Sequence, residues 1–133
     1  MISPRVNYLF MDYFFDTLSK DNPDIINCGW CYVWCYIVYK LYGGSLCSIY
    51  LNDKLHHAVL EKHGRYYDSE HLSGEEDIVN LKCLRLHSRD IKKGMKVSLS
   101  KDSVKEFFDK WQFKPDNDLF LYGITNFGLD LVT

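Results

Sequence analysis

The chain is expected to fold as one α+β domain, with a buried central helix packed on a mostly antiparallel sheet. Three observations lead there. The segment from Trp30 to Tyr42 is helical in length and carries Lys40 as its only charge, so it has almost no polar face and should be buried on most sides. Short strand-forming runs follow it, divided by the turn signals Asn52-Asp53-Lys54 and His63-Gly64. Helical patterns flank these runs rather than alternate with them, and 133 residues suit a single core spanning 1–133.

Each element has its own signature. Ser3 followed by Pro4 is a good helix start, and Val6, Leu9, Phe10, Tyr13, Phe14 and Leu18 recur at helical spacing. The polar run Lys20 to Asp24 should carry the chain irregularly to Asn27-Cys28, where the second helix is expected to begin; Gly43-Gly44 should end it. Leu46 to Leu51, Leu55 to Glu61 and Arg65 to Asp68 read as three strands of consecutive hairpins. Ser73 and Glu76 have the spacing of a capping box for a short helical turn, and Leu81 to Leu86 reads as a further strand. Ser100 to Trp111 reads as a helix capped by Ser100 or Asp102 and stopped before Pro115. Leu119 to Ile124 and Leu129 to Val132 complete the sheet, and no repeat or low-complexity tract interrupts this order.

Composition narrows the function. A formal net charge of -2 with scattered basic residues gives no electrostatic footprint for nucleic acid. The longest apolar run, Trp30 to Tyr39, falls short of the roughly 20 residues needed to span a bilayer, so no membrane role is expected. Five cysteines cannot all pair within the chain, and the N-terminal segment lacks the charged and apolar regions of a secretory leader, so a reducing cytoplasm is expected. Oligomeric state is open.

The chemistry concentrates in three places. Cys28 stands where the polar loop meets the second helix, and a helix start favours a thiolate through its unpaired N-H groups and dipole. Cys31 should lie one turn inside, where a thiol packs rather than ionises. His56-His57 on one strand and Asp68 on the next would bring imidazole and carboxylate together, completing nucleophile, base and orienting acid. Alternation sends the two histidines to opposite faces, and His57 is the preferred base. Glu70 is a weaker substitute for Asp68. Cys35, Cys47 and Cys83 are expected to be small buried packing residues, and His63, His71 and His87 to face water.

Asn27-Cys28-Gly29 opening a buried helix, then His57-Ala58-Val59, then Gly64-Arg65-Tyr66-Tyr67-Asp68, resembles the compact papain-like or transglutaminase-like cysteine enzymes over about the central third of the chain. The resemblance implies a cysteine-dependent acyl hydrolase or transferase acting on a peptide or protein substrate, as a peptidase, isopeptidase or amidase, through a thioester and with no cofactor. It implies Cys28 as nucleophile, His57 as general base and acid, and Asp68 as the residue that holds the imidazole. Asn22, six positions before Cys28, matches the offset of an oxyanion-hole side chain, with Asn27 as the other candidate beside the Cys28 N-H. Cys28-Gly29-Trp30-Cys31-Tyr32 also fits the papain signature with Trp30 in place of a small residue, a register that makes Cys31 the nucleophile. Other readings are a CxxC thiol-disulfide oxidoreductase, a zinc module on Cys28, Cys31, Cys35 and a histidine, and an inert binding or inhibitory protein of the same fold. The small size is compatible with a viral or mobile-element accessory protein.

Overall fold

The first helix forms where Ser3 and Pro4 announce it. In this computed structural model, which describes residues 1–14, 26–27, 30–100 and 104–112, helix α1 spans Pro4–Phe14. The Ser3 carbonyl accepts the Val6 N-H at 3.0 Å and its hydroxyl accepts the Arg5 N-H at 3.3 Å, satisfying donors that a helix start leaves unpaired. Val6, Phe10 and Met11 are buried. Leu18, expected on the same face, lies outside the described residues.

Helix α2 spans Cys31–Tyr42 and buries Cys31, Val33, Trp34, Cys35, Ile37 and Val38. That set covers more than half its circumference, which is why its sequence carries almost no charge. Gly43 ends it at φ 77°, returning its N-H to the Tyr39 carbonyl at 2.9 Å.

Five strands follow in an antiparallel sheet of order β4-β3-β2-β1-β5: β1 Ser45–Leu51, β2 Lys54–Lys62, β3 Arg65–Asp68, β4 His71–Glu75 and β5 Met95–Ser100. The two tight hairpins need positive φ at both central residues, and Asn52-Asp53 (52° and 61°) and His63-Gly64 (53° and 77°) supply it. One sheet face, with Leu46, Ala58, Leu60 and Tyr67, packs on α1, α2 and the helix α5 at Val104–Lys110. The other, with Cys47, Ile49, Leu51 and Val59, is covered by Ile78, Leu81 and Leu84. The sheet is thus buried on both sides, which explains the run Ala58-Val59-Leu60 with no exposed position.

The stretch after β3 departs from the sequence expectation. Ser73 caps no helix and lies within β4, because Gly74 adopts φ 78° and lets the strand cross the Tyr67 ring, where a Cβ would sit 2.7 Å from Cζ. The helical turn comes later, as a 3-10 turn at Ile78–Asn80 capped by Asp77, whose carboxylate accepts the Val79 N-H at 3.2 Å. Leu81 to Leu86 is not a strand: Lys82–Arg85 forms the short helix α3. Ile78, Leu81 and Leu84 recur every third residue, a helical period that places all three on the sheet. Helix α4 at Ser88–Gly94 and strand β5 were not anticipated. Ser100 ends β5 with its hydroxyl buried and without a partner among the described residues. The strands expected over 119–124 and 129–132 lie outside the described residues, and no helix within them is long and apolar enough to cross a membrane.

Candidate active site

Among the described residues, Cys31 is one of two thiols near His57, and it stands at the start of helix α2. Helix α2 begins at Cys31 rather than at Cys28, so Cys31 occupies the first position of the helix instead of the second turn. Trp30 at the N-cap has no side-chain acceptor to quench the first-turn N-H groups, and the positive end of the helix dipole is left facing the thiol. Cys28 and Asn22 lie outside the described residues.

His57 reaches Cys31 through an irregularity in the sheet. Ile49 pairs with His57 and Tyr50 with Leu55, so His56 is the extra residue of a β-bulge. Such an insertion breaks the alternation and re-aims the side chains beside it. The β2-β3 ladder ends at Leu60 opposite Tyr67, and Asp68 emerges just past that rung, three residues along β2 from His57. His57 Nε2 and Asp68 Oδ2 meet at 3.0 Å with each side chain 1% exposed. Cys31 lies near enough to favour the charged form of the His57 ring.

The carboxylate is itself held. Asp68 Oδ1 accepts the Glu70 N-H at 2.9 Å, an Asx turn that fixes the headgroup and presents Oδ2 to the imidazole. Glu70 does not approach His57 as a substitute. Its Oε1 accepts from Asn27 Nδ2 at 2.8 Å and its Oε2 pairs with Lys82 at 3.2 Å, joining the segment before α2 to the loop after β3. Asn27 is therefore committed to Glu70. On the other side of the loop, Asn7 donates to the Ser69 carbonyl at 2.6 Å and accepts the Trp34 indole N-H at 2.7 Å, so α1 and α2 both anchor the residues that follow Asp68.

The adjacent histidines are driven apart electrostatically. Burial alone would push the His57 imidazole down, but the hydrogen bond to Asp68 and the influence of Cys31 outweigh it and hold the ring up at about 9. His56 goes the other way, lowered by burial and by the neighbouring His87 and His57 rings against the raising effect of the Cys83 carbonyl. His56 lies 3.4 Å from that carbonyl and edge-on to His87 at 4.6 Å, lining a cavity of about 320 Å³ with Asn52 and Asp90. Neighbouring groups pushed in opposite directions are what acid-base chemistry requires, and His57 is the one with a thiol beside it.

Cys35 and Cys47 are buried as expected. Two expectations fail nearby. Cys83 is half-buried rather than sealed in a core, and it offers its sulfur within 4.8 Å of both a His57 nitrogen and an Asp68 oxygen. Reading Leu81 to Leu86 as a strand hid this, since only a helix after the 3-10 turn aims residue 83 at the triad. His71 does not face water: its ring donates to Glu75 at 3.1 Å and accepts the Lys82 N-H at 3.0 Å. His63 is exposed, and His87 is partly so. Comparison with protein-family models, curated proteins and solved structures finds no match for this chain.

Proposed function

We propose that the protein is a papain-like cysteine acyl hydrolase or transferase whose nucleophile is Cys31. The observation that carries this reading is a buried imidazole, hydrogen-bonded to a carboxylate, whose charged form is favoured by a nearby thiol at a helix start. With the Cys31 proton passed to the His57 ring, the sulfur attacks the carbonyl carbon of a peptide, isopeptide or amide. The C-N bond then breaks, His57 returns the proton to the departing amine, and an acyl thioester remains on Cys31. Water or an acceptor amine, deprotonated by His57, releases the acyl group and restores the thiol. Asp68 keeps the ring in register and stabilises its positive charge. The Cys31 backbone N-H is the first donor for the oxyanion. The chemistry calls for no cofactor, and the substrate would be a peptide or protein.

The burial of Cys31, 4% exposed, favours one competing reading, an inert binding protein in which the three side chains only lock the core. An activated acyl ester separates the two. On the proposed reading, mass mapping finds the acyl group on Cys31, and His57→Ala slows its appearance by about 10²–10⁴-fold. Acylation confined to Cys28, or equally fast in His57→Ala, overturns the assignment.

A further inference from the structure

Three donor groups of different kinds converge where only two are needed for the thiol chemistry. The His57 ring, an Asp68 oxygen and the Cys83 sulfur lie within 4.8 Å of one another. Around a tetrahedral Zn²⁺, donor atoms stand about 3.5 Å apart, so Nε2 and Oδ2 at 3.0 Å need to part only slightly to admit a cation between them. Cys83 is the third donor. Cys83 sits on a four-residue helix whose other flank, Lys82 and Arg85, is exposed, and its own half-exposure opens a path to a cluster otherwise sealed. Thiolate, imidazole and carboxylate together select a borderline-soft divalent ion over Mg²⁺ or Ca²⁺, and three protein ligands leave a fourth position open.

We propose that His57, Asp68 and Cys83 form a regulatory site for a divalent cation of the Zn²⁺ class, whose occupancy silences the Cys31 thiol. A cation on Nε2 takes that nitrogen's lone pair and displaces Asp68 from the ring. A ring bound to the cation through Nε2 carries a single proton, on Nδ1, and cannot become the imidazolium that takes up the thiol proton. The cation displaces the Nε2 proton, which returns to Cys31, and the Cys83 thiol proton, which goes to solvent, so the net exchange is one proton for one metal ion with no redox partner. The silencing rests on the proposed role of Cys31; the binding does not.

The test uses the whole chain, freed of metal by a chelator, and titrates it with Co²⁺ and Zn²⁺. Co²⁺ should give a thiolate-to-cobalt band in the near ultraviolet together with intense visible bands of tetrahedral coordination. Cys83→Ser should lose the thiolate band and bind Zn²⁺ at least about tenfold more weakly. Zn²⁺ should protect Cys31 from alkylation in the wild type and not in Cys83→Ser. A thiolate band that survives in Cys83→Ser, or Zn²⁺ binding lost in His87→Ala instead, overturns the site. Metal-free Cys31 that resists alkylation defeats the catalytic reading alone, while the Co²⁺ spectrum still decides the metal site.

Discussion

His57 is the residue whose protonation couples chemistry to stability. Its imidazole titrates higher in the fold than in an unfolded chain, from 6.5 to about 9, because Asp68 and Cys31 outweigh burial. A raised value of this kind contributes stability in full below the unfolded value and loses it as pH climbs through the folded one. The denaturation midpoint of chelator-treated protein should therefore fall between pH 6.5 and 9, and His57→Gln should flatten the profile in that window; parallel profiles would contradict the ion-pair description. The buried thiols behave oppositely. Burial and then the Glu61 charge push Cys47 up to about 12, and burial with its Cys47 and Cys31 neighbours raises Cys35. Neither should react with iodoacetamide at neutral pH until the protein unfolds, which peptide mapping checks directly. At this scale the sequence revealed His57 and Asp68, since a histidine in a strand and an aspartate ending the next one follow from turn spacing. The start of α2 at Cys31 was not legible, because Trp30 is not a residue type that marks a helix start.

Elements hold the site through few bonds, and those bonds make its support testable. Asn7 is the only described link from α1 to both the Trp34 indole and the Ser69 carbonyl, and both partners lie in a largely buried setting. Asn7→Ala takes the acceptor from the Trp34 indole N-H and the Asn7 donor from the Ser69 carbonyl and should cost about 1–3 kcal/mol, read as a lower denaturant midpoint with unchanged slope. Gly74→Ala should also destabilise, by about 1–3 kcal/mol, since its φ of 78° and a Cβ 2.7 Å from Tyr67 Cζ both oppose a side chain. A neutral result would mean that β4 does not cross Tyr67 as described. The same glycine shows why this region misled the sequence reading. Ser73 and Glu76 carry a helix-start spacing, yet pairing with β3 and the packing of Ile78, Leu81 and Leu84 on the sheet decided the outcome. Local propensity gave way to tertiary contact.

At the scale of the whole molecule, the two-sided burial of the sheet brings together residues that no local pattern links. Helix α2 approaches one face with Cys31, helix α3 covers the other with Cys83, and the bulge in β2 places His57 beside both. The α+β class, the buried central helix and the first three strands were readable because hydrophobic period and turn residues encode them. The convergence of α3 on the site was not, since it depends on how far the chain travels after β4 before returning as β5. The central claim is that His57 activates Cys31, and the rate of Cys31 alkylation at neutral pH, mapped by peptide mass in wild type and His57→Ala, tests it most directly. The account predicts rapid modification of Cys31 that slows by at least about 10²-fold without the imidazole; an unchanged rate, or modification that favours Cys28, would contradict it.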